Sequence, residues 1–596
     1  MSLNSKRICL LCFLLLLPSL AVEQDQSKPP LTFTSRSELV SVPVVVVNKK
    51  GDHVSGLTKD EFELKEDGKT KAIATFEEIQ STVNRPHHPA VQPDVYTNEL
   101  SNDASPKRLT IFALDQVNTP FMDQHYAREQ LMQYLASRVD SHEPISVVAI
   151  RANGIRVLHD FTADPAALVA ALKKASGDIP SVRPLVDNSA VAGMANSNDA
   201  AIDADFRTLS AFASAEGEYV ALAEREAILV TLECFQHVAE AFAGVPGRKS
   251  LIWATAAFPF RLDPVSGRIL APSVVNVTLN QAAGNRAGPN GRLPTLPSSA
   301  EIKTGEAISD LEPVYQRTLQ MLSDANISVY PVDARGLIVF FPGANVALSG
   351  NPRQTQGSQL ESFTQSRSSM FEATRETMED FAKRTGGKAF YNRNDLDVAF
   401  RKAADDSSTY YLLGYYLDQG AKAGWHKLQV KTKRGGVDVR ARDGFFVSAP
   451  MTKDETMKMD LKMALASPLD YTGVPLSVSW KQSVSDGNSE NVGKKKIHFQ
   501  MLLPASAHVV DTTSNNLVDL AIVVEARAPN GTPVDHFAQH VRTSLKPESL
   551  QILQKAGLNY GNDLLLAPGE YSVRFVVQNF SDGRMGTVTA PLQVSP

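Results

Sequence analysis

Cysteine is nearly missing from this chain: 596 residues hold three, at positions 9, 12 and 234. Cys9 and Cys12 spell C-x-x-C inside an apolar leader, which removes them as a redox or zinc motif, and Cys234 falls in a helical pattern, where a lone thiol is inert packing. A fold without an internal disulfide must draw its stability from core burial. Beyond the leader no apolar run reaches the roughly 20 residues that a membrane helix needs. An excess of one charge is also lacking. Lys and Arg total 60 against 65 Asp and Glu, a formal charge of -5, which excludes the basic footprint of a nucleic-acid binder and a disordered acidic tail. Lys494, Lys495 and Lys496 form only a short solvated turn before a strand. Enzyme signatures are absent too: there is no H-E-x-x-H and no G-x-S-x-G. Gly244 to Ser250 ends in Arg-Lys-Ser but precedes a strand, whereas a phosphate loop follows one and opens a helix. The pairs His87-His88, His159-Asp160 and Asp405-Asp406 read as linker, strand-end and solvated residues, and no nucleophile–base pair can be assembled.

What is present begins at the N-terminus. Lys6 and Arg7 precede the apolar run Ile8 to Leu17, then Pro18 and the small-residue site Ser19-Leu20-Ala21, which predicts a secretory signal over 1–21. Export to a periplasmic or extracellular location follows, with retention of the segment as an anchor as the alternative. The whole chain is 43% hydrophobic, and its length predicts three to four domains.

Periodicity then divides the chain. Valine-rich Leu39 to Val47, with Phe62 to Lys65 and Ile73 to Phe76, predicts a small β unit over 31–80, followed by a polar linker over 81–107. From 108 to 406 buried-strand runs alternate with helical patterns: Leu109–Leu114, Ile145–Ile150, Ile155–Phe161 after a Gly154 hairpin, Ser250–Phe258, Ile327–Val332 and Lys388–Tyr391. This predicts an α/β fold with a doubly wound, mostly parallel six-stranded sheet and one antiparallel edge, with irregular insertions near 177–218, 261–304 and 336–369. Residues 407–450 are β-patterned and are expected to pair with the N-terminal unit, since neither piece is large enough to close a core alone. Short alternating strands over 451–596 predict a β-sandwich of immunoglobulin or fibronectin type.

Several stretches resemble a von Willebrand factor A (VWA) family of bacterial proteins met mainly in acidobacterial proteomes: Phe112 to Thr119, Asp160 to Thr162, Gly247 to Ile252, Val329 to Gly336 and Tyr410 to Tyr415. The resemblance covers roughly Leu39 to Val447. It implies a metal-ion-dependent adhesion site, D-x-S-x-S at a strand end, where Mg²⁺ or another divalent cation takes carboxylate, hydroxyl and ligand oxygens. The match is partial: Asp115 and Thr119 agree, Val117 replaces the first serine, Asn118 offers an oxygen one position out of phase, and Thr255-Ala256-Ala257 stands where a later aspartate is expected. Asp333 ends a strand at the same sheet edge. The degenerate metal site is therefore Asp115, Asn118, Thr119 and Asp333; the alternative is that Asp115 and Thr119 only cap the following helix. No catalytic residue is assigned. The expected function is non-enzymatic protein–protein or surface binding, with an unknown protein or cell-surface partner and doubtful metal dependence. The alternative is an exported hydrolase built from the insertions.

Overall fold

The computed structural model describes residues 39–80, 94–99, 109–138, 143–175, 223–256, 261–262, 269–270, 311–337, 356–447, 453–481, 484–485 and 493–595, apart from positions 224 and 419. The secretory signal predicted over 1–21, His87, His88, the insertion at 177–218 and all but four residues of that at 261–304 lie outside them. Among the described residues no helix is long and apolar enough to cross a membrane.

Leu109–Asp115, Lys249–Thr255 and Ile327–Asp333 are buried along their whole lengths. That is what strands covered on both faces require. They form a five-stranded sheet in the order 327–333, 249–255, 109–115, 145–151, 154–162. The first four run parallel and the last returns antiparallel through the Gly154 hairpin, where φ is +103°. Ile111, Val148, Leu251 and Val329 face a core shared with the helices 225–242, Leu311–Asp324 and Gln356–Thr385. Phe112, Val147, Ile252 and Tyr330 face the helices Phe121–Ala136, Pro165–Lys174 and Leu396–Asp405 on the other side. Asp164 caps the second of these through Ala166 N–H at 2.9 Å.

The expected sixth strand, Lys388–Tyr391, is reduced to a bridge between Phe390 and Val332. Its brevity follows from Gly386 and Gly387: Gly386 turns at φ +78°, and a Cβ on Gly387 would sit 2.0 Å from the Val329 carbonyl. The insertion expected over 336–369 is also corrected, because the helix ending at Thr385 already begins at Gln356. The Arg-Lys-Ser motif is a buried strut: Arg248 donates to the carbonyls of Gly386 at 2.6 Å and Asp406 at 2.9 Å. Asp406 is not solvated as its sequence suggested. It accepts from Tyr330 at 2.6 Å and from Arg440 at 2.8 Å.

The segments on either side of this α/β unit pair with each other. Leu39–Asn48 runs antiparallel to Thr409–Tyr416, and Phe62–Glu66 to Gly424–Thr432. The two resulting four-stranded sheets enclose Val42, Val44, Leu64, Tyr411, Leu413 and Leu428.

The third unit is a two-sheet β structure over 477–594 around Phe499, Met501, Val524 and Phe575. It is preceded by a helix, Lys453–Ala466, that β-patterning had not indicated. The polar stretch 81–107 is not wholly a linker: Val95–Thr97 is an edge strand on Ser477–Trp480. Beside it, buried Asn98 donates to the carbonyls of Tyr471 at 2.6 Å and Val474 at 2.9 Å and accepts from Leu476 N–H at 2.9 Å. The third unit docks on the helix 225–242, where Tyr471 O–H meets His237 Nδ1 at 2.7 Å and Thr472 donates to the Ala241 carbonyl at 2.8 Å.

Candidate functional site

In a parallel sheet the carboxyl ends of adjacent strands share one edge, and side chains there face a common crevice. Register places Asp333 level with Thr255, and Asp115 lies one residue beyond the Leu114–Ala254 pair, so Asp115, Thr255 and Asp333 form a row.

Asp115 is 2% exposed. Its Oδ1 accepts from the N–H groups of Val117 at 3.1 Å and Asn118 at 2.9 Å. Its Oδ2 accepts from Asn118 Nδ2 at 2.9 Å, Trp253 Nε1 at 3.0 Å and Thr255 Oγ1 at 2.7 Å. Burial pushes the carboxyl up from its ordinary range, and the donors from Asn118, Thr255 and Trp253 oppose the shift. Five donors fill an acceptor that offers about four lone-pair positions.

The neighbouring residues are committed in the same way. Asn118 Nδ2 also donates to Thr231 Oγ1 at 2.9 Å. Thr119 Oγ1 accepts from Ala256 N–H at 3.0 Å. Gln124 closes the intervening loop by donating to the carbonyls of Gln116 at 3.0 Å and Thr119 at 2.7 Å. Asp333 is held by Arg335, whose Nε and Nη2 each lie 2.8 Å from its two oxygens. The guanidinium is steadied by Thr374 at 3.2 Å and by the Phe371 ring at 4.7 Å.

The structure thus brings Asp115, Asn118 and Thr119 into one loop and turns Asp333 to a different partner. A hard cation needs oxygens with lone pairs turned toward it. Here the Asp115 oxygens are filled by N–H and O–H donors, the Thr119 hydroxyl already accepts a hydrogen bond, and a guanidinium occupies Asp333. The residues present do not fit a metal. Trp253, Thr231, Gln124 and Arg335 are the partners that sequence reasoning missed. Thr255 carried a signal, because a hydroxyl donor standing where an aspartate acceptor is expected turns a cation's ligand set into a self-contained hydrogen-bond set.

Outside this network the edge is open. A small crevice of about 20 Å³ is lined by Asp115, Thr119, Phe121, Gln124, His125 and Arg128. Phe121, which lines it, is 49% exposed, and Met122 and Leu337, which follow the carboxyl ends of two strands of the sheet, are 72% and 48% exposed. Asn394 ties the two segments together: its carbonyl accepts from Tyr126, one turn after Met122, at 2.6 Å, and its Oδ1 accepts from Leu337 N–H at 2.8 Å.

A second cluster lies in the N-terminal sandwich. Glu66, Asp67 and His426 place their ligand atoms within 4.8 Å of one another. His426 Nδ1 lies 2.9 Å from Glu66 and 3.0 Å from Asp67, while Nε2 lies 2.7 Å from the Lys422 carbonyl. Both ring nitrogens face acceptors, which favours the protonated ring: burial opposes the charge, but the Lys422 carbonyl and the Asp67 and Glu66 carboxylates raise the His426 pKa above its ordinary value.

No family model matches the chain, and no curated protein does. Among solved structures it is similar, at 9% identity and a TM-score of 0.21, to the three N-terminal domains of the type V pili tip protein Mfa5 from Porphyromonas gingivalis, over 80% of this chain and 86% of that one.

Proposed function

We propose that this chain is an exported, non-enzymatic binding protein whose central unit is a doubly wound domain of VWA type. Its contact surface is the carboxyl edge of the sheet, and binding there is independent of metal. One observation carries the reading: Phe121, Met122 and Leu337 are exposed large apolar side chains on segments that leave this one edge of the sheet. Clustered apolar side chains on a sheet edge mark an interaction site, because contact removes them from water. The polar groups of the same edge are spent on one another, so they order the loop that presents Phe121 and Met122 and do no chemistry. The partner is a protein or surface ligand with an apolar contact of its own.

The test is recovery of partners from envelope and culture-supernatant extracts by the wild-type chain and by Met122→Asp, with thermal melting as the control for folding. The reading expects loss of the bound species with Met122→Asp and no effect of chelator on the wild type. Equal recovery by both chains removes the edge from the account, and loss on chelation removes the metal-free reading.

A further inference from the structure

The cluster of Glu66, Asp67 and His426 is assembled from the two chain segments that flank the central unit. Glu66 ends the strand Phe62–Glu66, Asp67 follows in the hairpin turn at φ +48°, and His426 lies on Gly424–Thr432, 360 residues from Glu66. Register sets Leu428 opposite Glu66, and the strand period of two puts His426 on the same face as Leu428. The backbone fixes the third member. Asp67 N–H donates to the Lys427 carbonyl at 2.9 Å, and Lys427 N–H donates to Asp67 Oδ1 at 2.8 Å. Asp67 Oδ2 is left for the ring, 3.0 Å from His426 Nδ1.

Three observations point to a bound cation. His426 Nε2 lies 2.7 Å from the Lys422 carbonyl, and a metal-bound histidine is oriented by such a contact, with the lone pair of its other nitrogen turned to the ion. That lone pair would meet Glu66 Oε1 at 2.9 Å and Asp67 Oδ2 at 3.0 Å, three acceptors that hold together only around a positive centre. Charge gives the second observation. Lys71 lies 3.2 Å from Glu66 and 2.6 Å from Asp418, so Glu66, Asp67 and Asp418 against Lys71 leave two negative charges when the ring is neutral. A proton on the ring cancels one of them, and a divalent cation cancels both. The third is the Tyr415 hydroxyl. Its residue is fully buried, and it lies against Glu66 without completing a hydrogen bond to it or to any other described group. A buried hydroxyl left without a partner is costly, and a water held by a metal among these carboxylates would supply one.

We propose that Glu66, Asp67 and His426 form a zinc site that staples the two halves of the first unit together. Ligand atoms about 2.1 Å from a zinc ion stand about 3.0 Å apart at a right angle and about 3.4 Å apart at the tetrahedral angle. The separations of 2.9 and 3.0 Å therefore need shifts of only a few tenths of an ångström. Three protein ligands leave the fourth position to water. The imidazole selects zinc over the harder Mg²⁺ and Mn²⁺. The ion takes the place of the proton on Nδ1, which passes to solvent. The side chain of Asp67 is 48% exposed, which gives the ion its path in. A link between Asp67 and His426 closes a very long loop of chain, the case in which a cross-link constrains the unfolded state most.

Calorimetric titration of Zn²⁺ into the full chain, stripped with a chelator and held at mildly alkaline pH, tests this, with thermal melting in parallel. The wild type should take up one zinc ion at micromolar concentration or below and melt at a higher temperature with it. Asp67→Asn tolerates the same turn conformation and keeps an acceptor for the Lys427 N–H, but loses the carboxylate charge. It should melt like the wild type without zinc and bind zinc about tenfold more weakly or worse. His426→Gln should lose both the binding and the rise in melting temperature. A wild type that takes up no zinc at submillimolar concentration overturns the proposal, since a proton then serves the cluster alone. Either variant binding as tightly as the wild type also overturns it, since the zinc then sits on other residues.

Discussion

Lys249 opens the strand Lys249–Thr255, second in the sheet, and is 1% exposed, with its side-chain nitrogen 2.5 Å from the Val245 carbonyl. Burial lowers its pKa from 10.5 to about 7. A lysine whose pKa falls on folding binds its proton more tightly when unfolded. The stability penalty is therefore fully present below about pH 7, shrinks as pH rises, and vanishes above 10.5. At about 1.36 kcal/mol per pH unit the shift corresponds to roughly 5 kcal/mol at its ceiling, about 4 kcal/mol at pH 7 and about 2 kcal/mol at pH 9. Lys249→Met keeps the length of the side chain and removes the charge, at the loss of one hydrogen bond of about 1 kcal/mol. The variant should thus be more stable than the wild type by about 3 kcal/mol at pH 7 and by about 1 kcal/mol at pH 9. Urea denaturation followed by tryptophan fluorescence suits the measurement, because Trp253 lies on the same strand. A destabilised variant, or a gain equal at both pH values, would refute the reasoning.

Three further outcomes are expected. Asp115→Ala leaves five donors without their acceptor and should lower stability by about 3 kcal/mol or more, while millimolar Mg²⁺ or Mn²⁺ gives the wild type neither heat on titration nor a thermal shift. Asn98→Ala removes three buried hydrogen bonds and should cost about 2 to 3 kcal/mol, read as earlier proteolysis of the third unit with the central sheet intact. His426 has its pKa raised: burial opposes the charge, but the Lys422 carbonyl and the Asp67 and Glu66 carboxylates outweigh it. Its stabilisation is complete below the unfolded value near 6.5 and is lost as pH rises through the folded value, so His426→Gln should be most harmful at acid pH and converge with the wild type toward alkaline pH, as thermal melts across pH will show.

Strands buried on both faces were legible because burial writes itself as continuous apolar runs; Leu109 to Leu114 and Ile327 to Val332 needed only that. The pairing of Leu39–Asn48 with Thr409–Tyr416 could be argued from size, since neither piece closes a core alone. Val95–Thr97 could not be read, because three residues beside prolines have no period and gain their conformation from Ser477–Trp480, far along the chain. The start of the helix at Gln356 was hidden by a polar Ser- and Gln-rich stretch without an apolar stripe. At the candidate site the acceptor Asp115 was legible and its donors were not. Trp253 and Thr231 come from other elements, and nothing in their spacing to Asp115 announces contact.

The pairing of Leu39–Asn48 with Thr409–Tyr416 also sets an order of events during synthesis. The valine-rich strand leaves the ribosome more than three hundred residues ahead of its partner, an interval of tens of seconds at about 5–20 residues per second. Through that interval a β-prone, low-charge segment has no sheet to join, which is the condition under which chains stick to one another. The central unit can fold in the meantime, and by folding it brings the two ends of the nested segment to one place. The late strand then meets a partner already held beside it. The middle of the chain is thus the clamp that completes the first unit, and variants that slow its folding should aggregate through residues 39–48.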